Sequence, residues 1–329
     1  MRPFDYVRPQ SLNEAISMLD SAGSDTRLLA GGTDLLTLMK HEISTPERLV
    51  DIKRLTELDD RIVPTDDGGV RIGALATLSG IEDDPLVRGT YPALAEAVAI
   101  AASPQLRNMA TLGGNLLQRS RCWYFRHENV HCWLNGGEEC FAREGENQHH
   151  ALFGDSPCVS AHPSDPATTL LALDALVDIT GPDGQRTVPL ADLFALPEEE
   201  RRRETTLATN EVVTAIVLPT TAPGTGSSYM KAMERKVWAF ALVSVAARLT
   251  VDADRITDAR LVLGGVAPIP WRVPAAEQAL VGETPGEESF AKATAAALNG
   301  AQPLAKNAYK LQVLRALIPR ALEAAAQVD

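Results

Sequence analysis

All four cysteines of the chain fall between Cys122 and Cys158. Structural cysteines behave as small hydrophobes and scatter through cores, so thiols gathered in one window suggest a thiolate-ligated centre or a pair of disulfides. The spacing is C-x9-C-x7-C-x17-C. It has neither the short knuckle of zinc ribbons nor the run of bacterial ferredoxins. On spacing alone an iron–sulfur cluster, a zinc site and disulfides all stay open. His127 and His131 are spare ligands in the window, or plain solvated side chains. Trp123, Trp133, Gly136 and Gly137 add to a stretch without regular period, so residues 119–160 read as a structured insertion.

A length of 329 residues is too great for one ordinary core and suggests two or three domains. With 45% hydrophobic and 22% charged residues the composition is that of a soluble globular protein. The formal charge of −12 argues against a nucleic-acid partner, which would need a basic face. The apolar stretch at 91–103 is too short and Ala-rich to span a bilayer, so no membrane insertion is expected. The N-terminus lacks the apolar core of a signal peptide. That makes the cytoplasm the default compartment and counts against disulfides.

Ser11-Leu-Asn-Glu14 is a capping box opening a helix that runs to Gly23. Residues 27–30 read as a buried strand ending in Gly31-Gly32-Thr33-Asp34, and 49–52 as another. Farther on, 70–74 reads as a strand, Ser79-Gly-Ile-Glu82 as a second capping box, and 92–102 as an Ala-rich helix. A helix is expected over 166–175, a hairpin across Gly181-Pro-Asp-Gly184, and a strand over 211–218. The charge run Glu198-Glu-Glu-Arg-Arg-Arg203 reads as a solvated face. The linker candidate is 220–228. Beyond it, strands over 229–233, 242–251 and 255–263 and helices over 274–281, 287–299 and 307–326 make an α+β module.

Two glycine turns carry the clearest chemistry. In Leu28-Leu-Ala-Gly-Gly-Thr-Asp-Leu-Leu36, glycines at a strand-to-helix turn let backbone N–H groups approach a phosphate, with Thr33 as an added donor. Thr111-Leu-Gly-Gly-Asn115 repeats the pattern. Either alone is as readily a tight turn; together they favour a dinucleotide clamped from both sides, outside the Rossmann and P-loop patterns, which are absent. In His162-Pro-Ser-Asp165, Ser164 and Asp165 either cap the next helix or accept hydrogen bonds from sugar hydroxyls.

These residues resemble the FAD-binding medium subunits of the molybdenum hydroxylases, the family of xanthine dehydrogenase, carbon monoxide dehydrogenase and aldehyde oxidoreductases. The likeness rests on Leu29-Ala-Gly-Gly-Thr-Asp34, Thr111-Leu-Gly-Gly-Asn115, Phe240-Ala-Leu-Val-Ser-Val-Ala246, Gly264-Gly-Val-Ala-Pro268 and Asn307-Ala-Tyr-Lys310, in order along the chain. The cysteine insertion is similar to that of two branches, periplasmic aldehyde oxidoreductase flavin subunits and 4-hydroxybenzoyl-CoA reductases. Arg121-Cys-Trp-Tyr-Phe-Arg126, Gly145-Glu-Asn147 and Pro157-Cys158 look closest to the aldehyde oxidoreductase type.

The resemblance implies an α+β fold: a two-subdomain FAD-binding domain of the PCMH/vanillyl-alcohol-oxidase type (1–55 and 56–220), a linker at 221–228, and a C-terminal domain at 229–329 built on a three-stranded antiparallel sheet. It implies FAD held by Leu28, Leu29, Ala30, Gly31, Gly32, Thr33, Asp34, Leu35, Leu36, Thr111, Gly113, Gly114 and Asn115, with Ser164 and Asp165 on its hydroxyls and Lys231 and Trp238 near the flavin. It further implies a [4Fe–4S] cluster on Cys122, Cys132, Cys140 and Cys158. The partners it implies are a large molybdenum-cofactor subunit, a small subunit with two [2Fe–2S] clusters, and an external electron acceptor. Reverse electron flow, as in the benzoyl-CoA reductase branch, and a zinc-stapled binding module are the alternatives. Export alongside a signal-bearing partner would place the chain in the periplasm.

Overall fold

The computed structural model describes residues 1–22 and 26–327, arranged on three sheets. The first contains β1 (Asp5–Val7), β2 (Thr26–Leu29) and β3 (Arg48–Asp51), all parallel, in the order β1-β3-β2. The crossover helix Leu12–Ala22 starts at the expected capping box: Ser11 Oγ accepts from Glu14 N at 3.1 Å. The Glu14 carboxylate turns back to Gln10 N at 2.6 Å, one residue earlier than a standard box. Leu12, Ala15, Ile16 and Leu19 are buried against Val50 and Ile52. The expected stop at Gly23 lies outside the described residues. Strand β1, three residues long and largely exposed, leaves no pattern in the sequence.

The second sheet is antiparallel throughout, in the order β4-β5-β8-β6-β7. Its strands are β4 (Ile62–Pro64), β5 (Val70–Gly73), β6 (Leu176–Gly181), β7 (Gly184–Pro189) and β8 (Val212–Leu218). The β6–β7 hairpin turns where expected, with Gly184 at φ +108°. The helix expected to start at Ser79 instead spans Leu78–Asp83. Thr77 is its cap: extended backbone aims Thr77 Oγ1 at Gly80 N, 3.1 Å away. The helix Pro92–Ala99 stops short of 102, and Ala102 has a left-handed φ of +50°.

The third sheet has four strands rather than three: β9 (Thr225–Ala232), β10 (Val243–Asp252), β11 (Arg255–Gly264) and β12 (Trp271–Arg272), in the order β12-β11-β10-β9. Two-residue β12 is too short to show a period. Strand β9 begins at Thr225, so 225–228 is paired with β10 and is not free linker. Ala253 and Asp254 turn β10 into β11 with positive φ at both central positions, the geometry that matches strand twist. Helices Pro274–Leu280, Glu287–Leu298 and Tyr309–Ala326 share one apolar core with β10 and β11. Helix Asp165–Ala172, buried along its whole length, packs against β10 and β11 from the second domain.

The cysteine stretch is irregular, as expected, with one helical turn at Trp133–Asn135. It is buckled to both domains. Leu152 N and Phe153 N donate to Val266 O, and Asn307 Nδ2 to the carbonyls of His150 and Ala151. Buried Lys310 donates to His150 O and Gly265 O at 2.9 and 2.8 Å. The run 198–203 is a solvated face in its glutamates, all three exposed, but its arginines are half-buried and two of its residues reach the cysteine stretch. Glu199 accepts from Trp133 Nε1 at 2.9 Å, while Arg202 donates to Trp133 O and Gly137 O and stacks over the Trp133 ring. Among the described residues no helix is long and apolar enough to cross a membrane.

Candidate functional site: a glycine-lined cleft beside the cysteine stretch

Between the first two sheets lies a cleft of about 570 Å³, within the range of cofactor pockets. Leu28, Leu29, Ala30, Gly31, Gly32, Thr33, Asp34 and Leu35 line it, as do Thr111, Gly113, Gly114 and Asn115. Leu36 is not in the wall; its side chain is partly exposed. The two glycine turns lie back to back. A Cβ on Gly31 would sit 2.0 Å from Met109 O, so only glycine permits the approach. Gly32 has φ +72°.

The turns do different jobs. The N–H groups of residues 31–34 find no acceptor among the described residues and are left for a guest. In the second turn Leu112 N donates to Ala76 O, Gly113 N to Ala74 O, Gly114 N to Thr111 Oγ1 and Asn115 N to Thr111 O. It is a capped helical turn, Leu112–Leu116, whose small residues make room. The expected two-sided clamp therefore has backbone donors on one side. Arginines that the sequence reading passed over complete the wall. Arg119 and Arg121 line the cleft, and Arg119 Nη2 and Arg121 Nε are buried without an acceptor among the described residues. Burial pulls the Arg121 pKa down to about 10. Orphaned cationic donors beside free N–H groups fit an anionic occupant such as a pyrophosphate.

Ser164 and Asp165 are committed to the protein. Ser164 Oγ accepts from Ala167 N at 3.0 Å, capping the helix, and donates to Asn115 Oδ1 at 2.6 Å. The Asp165 carboxylate accepts from Tyr229 Oη at 2.6 Å and Lys231 Nζ at 2.7 Å. Burial raises the Asp165 pKa, against the pull of Lys231. A smaller pocket of about 80 Å³ is lined by Thr33, Asn115, Arg121, Asp165, Trp238 and Phe240, among others. Trp238 stands at its rim, 59% exposed, with φ +55°. The Lys231 side chain is fully buried in its ion pair and reaches neither cavity wall.

The four cysteines are free thiols gathered in one place. Cys132 and Cys158 are buried with Phe125, Trp133, Leu134 and Leu38, and Cys122 and Cys140 pack against this group. Leu38 and Phe125 also line the large cleft, so the cysteine cluster and the cleft share a wall. Burial pushes the Cys122 thiol up to about 11, with Cys132 and Cys140 adding to the rise. A hydrogen bond from Cys158 holds Cys140 down at about 6, and Cys158 is correspondingly raised. His150 Nε2 lies 3.1 Å from Cys122 Sγ. The thiols are gathered but not closed: among the described residues, no three His, Cys, Asp or Glu side chains form a group that could hold a metal ion. His127 and His131, spare ligands or solvated side chains by sequence, belong to no such group among the described residues.

Comparison with known proteins matches the chain to two family models in succession. Residues 2–221 match the FAD binding domain in molybdopterin dehydrogenase, and residues 228–325 the CO dehydrogenase flavoprotein C-terminal domain. The chain is 39% identical to the aldehyde oxidoreductase FAD-binding subunit PaoB of Escherichia coli K12, covering 99% of this chain and 100% of that one. It is 32% identical to the carbon monoxide dehydrogenase medium chain of Hydrogenophaga pseudoflava, over 98% and 96% of the two. The solved carbon monoxide dehydrogenase of that organism, a form lacking the Mo-pyranopterin moiety, superposes with a TM-score of 0.77 at 31% identity, covering 98% of this chain and 97% of that one. With two family models spanning nearly its whole length and a relative matched end to end, this chain belongs to the FAD-binding medium subunits of the molybdenum hydroxylases.

Proposed function

We propose that the chain is the electron-transfer subunit of a molybdenum-dependent aldehyde oxidoreductase, holding FAD in the large cleft and a [4Fe–4S] cluster on Cys122, Cys132, Cys140 and Cys158. The observation that carries the proposal is the shared wall. Leu38 and Phe125 line the cleft and belong to the same packed cluster as the cysteines. Thiolates suit iron–sulfur chemistry, and the apolar surroundings together with backbone amides hydrogen-bonded to all four sulfurs would tune its potential. The aldehyde branch is supported by the end-to-end match to PaoB.

In this reading the N–H groups of residues 31–34, with Arg119 and Arg121, hold the diphosphate, and Gly113 and Gly114 leave space for it. Ser164 and Asp165 act indirectly, fixing Asn115 and the domain seam. Trp238 and Phe240 screen the small pocket from water, where the flavin end would lie. FAD and the cluster supply one- and two-electron redox chemistry when bound. Partner chains, a molybdenum-bearing large subunit and an iron–sulfur small subunit, supply the substrate site; this chain alone oxidises no aldehyde. Electrons run from the small subunit toward the flavin and an external acceptor.

The test is iron, acid-labile sulfide, zinc and flavin content per chain after anaerobic purification. About four iron, four sulfide and one FAD agree with the proposal. About one zinc without sulfide refutes the cluster and makes the stretch a structural staple.

A further inference from the structure

Asp34 ends the donor turn, yet its carboxylate is spent on the cysteine stretch. Oδ1 accepts from Arg121 Nη1 at 2.5 Å and Arg126 Nη2 at 2.7 Å, and Oδ2 accepts from Arg119 N at 2.9 Å. These partners are 85 to 92 residues away in the chain. Burial alone would raise the Asp34 pKa; Arg121, Arg126 and the Arg119 amide more than offset it. Arg126 is the knot. It also donates to Ser120 O at 2.7 Å and Arg119 O at 2.9 Å, and Ser120 Oγ in turn accepts from Cys122 N. Unlike Arg119 and Arg121, it lines neither cavity.

Four neighbouring N–H groups held without acceptors repel one another and expose a turn to collapse into other hydrogen bonds. Something must hold the turn open, and its only charged side chain is gripped from the cysteine stretch. We propose that Asp34 and Arg126 are a positioning pair through which the cysteine stretch holds the donor turn in its flavin-binding shape, so that FAD retention and order in the stretch are coupled. The inference rests on FAD as the occupant of the cleft and is independent of which metal the thiols take. Coupling of binding equilibria is reciprocal, so FAD must order the stretch as much as the stretch favours FAD.

The test uses the full chain, stripped of flavin. FAD affinity is read from quenching of flavin fluorescence, and backbone amide exchange over 119–135 is followed with and without FAD. Arg126→Gln is expected to weaken FAD by about 5- to 150-fold, the usual range of coupling between sites. Asp34→Asn should do the same, the double variant should be no worse than Asp34→Asn alone, and Arg126→Lys should recover part of the affinity. In the wild type FAD should slow exchange over 119–135, a measurement that needs no variant to fold. Wild-type affinity in Arg126→Gln, additive losses in the double variant, or FAD binding without protection of 119–135 would each overturn the coupling. A wild-type chain that binds no FAD would instead overturn the assignment of the cleft.

Discussion

Replacing Lys231 by Met should destabilise the chain severely, and in a pH-dependent way. The Lys231 and Asp165 side chains are 0% and 7% exposed and their charged atoms lie 2.7 Å apart. Removing one partner leaves the other charge buried and uncompensated, which costs about 3–5 kcal/mol. At about 1.5 °C per kcal/mol for a chain this long, the melting temperature should fall by about 4–7 °C. The sign of the pH effect follows from Asp165. Burial already raises its pKa, and the charge and hydrogen bond of Lys231 are the main forces holding it down. Without Lys231 the folded-state pKa climbs further. An acid whose folded pKa exceeds its unfolded value contributes stability that is present below the unfolded pKa and lost as pH rises through the folded one. Lys231→Met should therefore lose less at pH 5 than at pH 8. Asp165→Asn with Lys231→Met should recover most of the loss, because no charge is then stranded. Differential scanning fluorimetry across pH reads all three. A shift under about 1 °C at pH 8, less than about 1 kcal/mol on the same scale, would refute the reasoning, as would a larger loss at pH 5 or a double variant as unstable as the single one.

Gly31→Ala should abolish FAD retention, since its Cβ must displace the Met109 carbonyl from 2.0 Å; flavin absorbance per purified chain checks it. Thr111→Val removes the oxygen that caps Gly114 N and should cost about 1 kcal/mol, seen as a drop in melting temperature of about 1.5 °C. Lys310 titrates low, at about 7, because it is buried. A base with a depressed folded pKa gives stability that is present above its unfolded pKa and lost as pH falls to the folded one. The urea midpoint of the wild type should therefore rise from about pH 7 toward pH 10, and Lys310→Met should lack that rise.

Much of the architecture could be read locally, because its signals are local. The Ser11 cap, the Gly181 to Gly184 hairpin and the amphipathic closing helices each declare themselves within a few residues. What a local reading leaves out is held by distant partners. The run 198–203 has the composition of a solvated face, but Glu199 and Arg202 are claimed by Trp133 and Gly137, 65 to 69 residues away. Asp34 belongs by motif to the cofactor and by geometry to the cysteine stretch. Lys231 reads as a free cation near the cofactor, yet Asp165, 66 residues away, takes its charge into the seam.

The two glycine turns show that the distinction was nonetheless written in the chain. A side-chain oxygen at one position caps the amide three residues on. In Thr111-Leu-Gly-Gly114 that position holds threonine, and its hydroxyl takes the Gly114 amide that a phosphate would need. In Leu29-Ala-Gly-Gly32 the position matching Thr111 is leucine, and Ala30, three residues before the Thr33 amide, has no oxygen to offer either, so the amides of the turn stay free. The two Gly-Gly pairs differ in where the threonine stands. Before the glycines it closes the turn on itself; after them it adds a hydroxyl beside open donors. Swapping that order should swap the roles. Ala30→Thr would supply an internal acceptor for the Thr33 amide and weaken FAD, even though it adds a polar group to a polar site. A polar substitution that raised FAD affinity there would show that the donors are not what holds the cofactor.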